Sequence, residues 1–201
     1  MGTDITVMLV DWGRVTAVPA AERLSLLNDA ALDDIDWLPV PGTGLLLPPQ
    51  GADWRIGFDF RGTMSLYKAH FWAVERWDKV RRYFPGWPLR AALDDFMGRL
   101  DLLYDFYGLP ENTDGARLLG TDPEAPPDLL TACSPDSAVV AAGLWRRVSP
   151  RLEELRPCFD RHAAEPGRWS GTFEEWTDLL SQWGEATAEA QRRAWGIIGV
   201  R

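Results

Sequence analysis

The sequence predicts an α+β fold, or a mixed α/β one, in which a small central sheet is packed by five or six helices within a single domain spanning 1–201. Three observations carry this. Ile5 to Val10 is a β-branched run apolar on both faces, as an interior strand covered on each side requires. Trp54, Ile56, Phe58 and Phe60 alternate with Arg55, Gly57, Asp59 and Arg61, the period of a strand with one covered and one wetter face. Leu89, Ala92, Leu93, Phe96, Met97, Leu100, Leu103, Tyr104 and Tyr107 recur at spacings of three and four, which puts them on one side of an α-helix over 88–107. This helix, opened by Pro88 and closed by Gly108 before Leu109-Pro110, is expected to be the piece around which the rest packs.

The remaining elements follow in order. Asp11-Trp12-Gly13 ends the first strand, and Pro19 opens a helix carrying Leu24 and Leu27. The prolines and glycines crowded between Pro39 and Asp53 predict a long loop. Tyr67, His70, Phe71, Val74 and Trp77 fit a helix over 63–84 with Thr63 as its N-cap. A second loop is expected over 109–128, then a strand over 129–133. Ser134-Pro135 and Ser149-Pro150 each supply an N-cap followed by proline, and the helix opened by the second is expected to kink at Pro157. Thr172 and Glu175 form a capping-box pattern ahead of Phe173, Trp176, Leu179, Leu180 and Trp183, a face that continues past Gly184. Ile197, Ile198 and Val200 predict a last strand beside Ile5 to Val10.

The opening Met1-Gly2-Thr3-Asp4-Ile5-Thr6-Val7, the stretch Pro150 to Arg156, and the closing Trp183-Gly184 with Arg193-Ala194-Trp195-Gly196 resemble a set of uncharacterised actinobacterial hypothetical proteins. The resemblance covers only the two ends of the chain. It implies no activity, so no functional residue follows from it.

Composition narrows the function classes. Hydrophobic residues at 46% and charged residues at 25% are those of an ordinary globular protein. A net charge of −9 argues against nucleic acid or an anionic membrane as main partner, since both demand a basic face, and favours basic or neutral partners. Cys133 and Cys158 are too few for a disulfide scaffold, the N-terminus lacks a basic leader, and no apolar run is long enough to span a bilayer, so a cytoplasmic location is expected.

No catalytic set, cofactor or metal is predicted. Asp94, Asp101 and Asp105 share a strip of the 88–107 helix and read as its solvated back, and Asp33, Asp34 and Asp36 lack the spacing of a calcium loop. Cys133, Cys158, His70 and His162 have the donor types of a zinc site, but only Cys158 and His162 stand at helical spacing. The reading that follows is a soluble, acidic binding or interaction protein with a protein partner or a small-molecule ligand. The alternative is a small-molecule enzyme, such as a hydrolase, working in an aromatic-lined pocket near His70 and Asp59 that Trp54, Trp72, Trp77 and Trp87 would line.

Overall fold

The central strand β1 (Thr6–Val10) pairs antiparallel with β4 (Arg55–Phe58) on one side and with β6 (Gly196–Val200) on the other. Outside β4 come β3 (Leu45–Leu47) and then β2 (Leu38–Pro39); outside β6 lies β5 (Leu129–Cys133). The sheet order is β2-β3-β4-β1-β6-β5, and each neighbouring pair is antiparallel. The fold is α+β. These elements come from a computed structural model that describes residues 5–32, 37–48, 53–61, 66–84, 86–100, 113–121, 129–165 and 171–200, with the backbone alone at 32, 66–72, 75 and 130.

Both faces of β1 are covered, which is why its sequence is apolar without alternation. Val7 and Leu9 enter the larger core, built with α3 (Leu66–Arg81), α4 (Arg90–Leu100), α6 (Pro135–Val148), α7 (Arg156–Ala163) and α8 (Phe173–Arg193). Met8 and Val10 enter a smaller one on the opposite face, with Val15 from α1 (Trp12–Ala17), Leu27 from α2 (Ala20–Leu32) and Leu118 from α5 (Asp114–Leu119). Trp37 belongs to this second core and packs against β4 at Gly57. A Cβ on Gly57 would meet its ring at 1.5 Å, so the strand must carry glycine there.

Capping fixes α6 and α8 as the sequence predicts, whereas Ser149, also expected to cap a helix, takes helical backbone angles at the end of α6. Ser134 accepts from the Ser137 N–H at 3.3 Å with Pro135 in the first turn of α6. At α8, Thr172 accepts from the Glu175 N–H at 3.1 Å and Glu175 accepts from the Thr172 N–H at 2.9 Å. Gly184, a weak point by propensity, is where the Trp145 indole of α6 lies on α8: a Cβ there would come 2.0 Å from the indole nitrogen. At the far end of α8, Ala194 takes φ 57°, and its N–H and that of Trp195 close on the carbonyls of the last turn. The chain thereby reverses directly into β6.

Several expectations are corrected. Asp11 does more than end β1: its carboxylate accepts from the Arg14 N–H at 3.3 Å and starts α1. The stretch 39–53 is not all loop, because β2 and β3 form a hairpin inside it. Nor is 109–128, since α5 occupies its middle. These short helices raise the number beyond the five or six expected. No kink forms at Pro157; Ser149–Leu155 is a 3-10 turn, and Pro157 sits in the first turn of a separate helix, α7. β4 has no wetter face, as all four of its residues are buried, Arg55 included. The described part of the 88–107 helix is α4, which begins at Arg90; Leu103 to Gly108 and Thr63 lie outside the described residues.

Two outcomes are expected. Deleting 196–201 removes five buried residues from between β1 and β5. With each large buried aliphatic side chain contributing about 1.5–3 kcal/mol against a total of about 5–15 kcal/mol, the truncated chain should show no cooperative thermal transition by circular dichroism. Ala194→Gly relieves a left-handed alanine and should raise the melting temperature by about 2–4 °C.

Candidate functional site

The main helical layer stops short of the outer strands of the sheet, and a cleft opens at this step. Side chains of directly opposed antiparallel residues share a face. Leu45 opposes Phe58 and Leu47 opposes Leu38, so these four stand on the side of the sheet that α8 covers. Phe58 is buried beneath that layer. Further out the cover ends: Leu47 is 43% exposed and Leu38 65%.

The corner between this apolar floor and the flank of α8 holds about 330 Å³. Gly42, Thr43, Gly44, Leu45 and Phe58 line it from the sheet, and Glu185, Ala188, Glu189 and Arg192 line it from α8. Successive turns of one helix put Glu185, Ala188, Glu189 and Arg192 on a single face, at spacings of three and four.

The floor is rigid. Pro41-Gly42 forms the hairpin corner, with Gly42 at φ 78° and the Thr43 N–H donating to the Val40 carbonyl at 3.2 Å, the arrangement of a type II turn. The Thr43 hydroxyl donates to the same carbonyl at 3.0 Å and accepts from the Leu45 N–H at 3.1 Å. The Asp59 N–H reaches back to the Gly44 carbonyl at 2.7 Å. One buried amide then ties floor to wall: Gln182 of α8 accepts from the Arg61 N–H at 2.5 Å and donates to the Arg61 carbonyl at 3.2 Å.

Charge on the wall is of both signs. Glu189 accepts from Arg192 at 2.7 and 2.6 Å and from Arg193 at 2.6 Å. The hydrogen bond from Arg192 is the main cause holding its carboxyl below the usual range, against the opposing effect of burial, so it stays ionised and internally matched. Glu185 pairs with Arg61 at 3.2 Å, and both side chains are about half exposed. An ion pair so placed contributes about 0–1 kcal/mol and exchanges readily for another partner.

Among the described side chains singled out from sequence, Trp54 and Trp77 stand away from this cleft. Asp59 does border it: it is exposed and its backbone holds Gly44. Trp54 packs against the second core, on the far face of the sheet, with the Arg55 guanidinium 5.5 Å from its ring. Trp77 is fully buried in the larger core, stacked on Trp176 at 6.4 Å and donating to Asp94 at 2.7 Å. Trp87 meets it edge-on and donates to Glu154 at 2.9 Å. His70 and Trp72 lie on α3 with side chains outside the described residues. Asp94 also pairs with Arg81 at 3.3 Å, whereas Asp33, Asp34, Asp36, Asp101 and Asp105 lie outside the described residues.

The thiols are core groups. Cys158 and His162 share a buried face of α7, where the thiol donates to the Tyr83 carbonyl at 3.7 Å and the Tyr83 hydroxyl donates to Glu165. Cys133 is wholly buried, and burial is the main cause that pushes its thiol far up, with Asp114 adding and Arg99 opposing. Among the described residues no group of three or more His, Cys, Asp and Glu is placed to hold a metal ion. None of the described helices is long and apolar enough to cross a membrane.

Leu38, Leu47 and the Glu185–Arg192 face are absent from the sequence reading. The available signal was the Leu45-Leu46-Leu47 run flanked by Gly44 and Pro48, too short to register as a strand amid so many chain breakers. Comparison of the chain with family models, curated proteins and solved structures finds no match.

Because its thiol is shielded and held protonated, Cys133 should resist iodoacetamide at pH 8 in the native protein and react fully in denaturant, as read by intact-mass spectrometry. Rapid native labelling at Cys133 would mean that β5 opens.

Proposed function

We propose that the protein is a non-catalytic binding protein that seats an apolar segment of a basic partner protein on the outer strands of its sheet. The observation that carries this is the exposure of Leu38 and Leu47 on the same sheet face as Leu45, which lines the cleft beside α8. Single exposed leucines are ordinary, but an apolar pair opposed across two strands and joined to a lined cleft is the form of an interaction site. The net charge of −9 supplies the long-range attraction that favours a basic partner and disfavours an acidic one. Support for binding over catalysis also comes from the tryptophans: Trp54 and Trp77 stand on opposite faces of the sheet and line no common pocket.

The test is a double variant, Leu38→Asp with Leu47→Asp. Both positions are at the surface, so the melting temperature should stay within a few degrees of the parent. A photo-reactive residue at position 47 would identify the partner in cells. That protein, once purified, should bind the parent chain with micromolar or tighter Kd and the double variant at least tenfold more weakly. Equal binding to both, or cross-links only between copies of this chain, would refute the reading.

A further inference from the structure

The backbone of the edge strand restricts what can sit on this floor. The Val40 N–H donates to the Leu45 carbonyl at 2.9 Å, so Val40 turns its backbone groups inward, toward β3. Backbone direction alternates along an antiparallel strand, so the neighbours of Val40 direct theirs outward. Those neighbours are Pro39 and Pro41, and neither has an N–H. An incoming strand would therefore find no donor at either position along the outer side of β2, the same device by which sheet edges are closed to pairing.

The face of the sheet is open where its edge is closed. From β2 to β4 the floor spans two strand spacings, about 10 Å, which matches the diameter of an α-helix with its side chains, about 10–12 Å. A helix laid on Leu38, Leu47 and Leu45 would run alongside α8, whose Ala188 leaves room for close approach while Glu185 meets its polar flank.

Resting on the binding reading above, we infer that the segment received in this cleft is an amphipathic α-helix with an apolar stripe and a basic flank, laid on the sheet face beside α8, and not a β-strand added at the edge. The stripe needs apolar residues at spacings of three and four, to meet the leucines on one side. Exposed Glu185, paired with the exposed Arg61, accepts a lysine or arginine of the flank.

The experiment uses the full chain and two fluorescein-labelled 18-residue peptides of identical leucine and lysine content. One places leucines at spacings of three and four, to form a helix; the other alternates them, to form a strand. By fluorescence anisotropy in about 150 mM salt, where charge attraction between exposed groups is screened beyond roughly 8 Å, the helical peptide should bind at least tenfold more tightly than the alternating one. The Leu38→Asp/Leu47→Asp variant should lose at least tenfold in affinity for it, although the change makes the protein more acidic and would strengthen any attraction due to charge alone. Pro39→Val restores an outward N–H and should raise affinity for the alternating peptide without affecting the helical one.

The outcomes separate the two claims. Tighter binding of the alternating peptide, still lost in the double aspartate variant, overturns the helix and leaves the floor as a docking site. Equal binding of both peptides, unchanged or strengthened in that variant, is attraction by charge and overturns both claims. Binding of neither peptide overturns the helix inference alone, because the partner captured from position 47 tests the docking site independently.

Discussion

The pairing of β1 with β6 is the constraint on which the rest depends. Five residues near one end of the sequence lie beside five near the other, from Thr6 opposite Val200 to Val10 opposite Gly196. β6 is also the inner neighbour of β5, so without it the sheet would lose that edge as well as its centre. The ladder brings together segments separated by nearly the whole sequence, and the entropy of closing such a loop is spent before the contact is made. Helices with local contacts can form early; the sheet that orients them cannot.

The position of the cleft follows from that pairing through α8. Only Ala194 and Trp195 separate the end of α8 from β6, and the left-handed turn at Ala194 leaves little freedom in how helix and strand meet. With β6 fixed beside β1, α8 lies over the middle of the sheet and Gln182 grips the chain at Arg61, three residues past β4. The hairpin of β2 and β3 then projects past the helical layer. What would be core in a fully covered sheet is left as an apolar shelf, walled on one side by α8.

Most of the architecture was legible from the sequence, because each legible element announces itself through local chemistry. Thr172 and Glu175, Ser134 with Pro135, and the β-branched runs at either end carry their instructions within a few residues. The misses are places where a distant neighbour decides. Leu45 to Leu47 become a strand because β4 offers them a ladder, and Arg55 is buried because Trp37 and Trp54 flank its guanidinium at 5.8 and 5.5 Å. Pro157 begins a helix where helical periodicity alone would have had it bend one. The candidate site was the least legible part. Its floor comes from β2, β3 and β4 and its wall from α8, and nothing in the separate segments signals that they meet. Of the candidate residues whose side chains are described, Asp59 borders it, through its main chain.

The contact between Trp37 and Gly57 bears on how such a sequence can change over time. The indole occupies the volume that any side chain at Gly57 would need, so no residue but glycine fits while the tryptophan stays. Conversely, a smaller residue at position 37 leaves a void over the strand, which costs several kcal/mol. Each position therefore sets which residues the other tolerates, and the effects of changing them do not add. Among divergent descendants of this sequence the two positions should vary together: glycine opposite a large ring, or a bulkier strand residue opposite a small one. The intermediate with both large is excluded by sterics, and the one with both small by loss of packing.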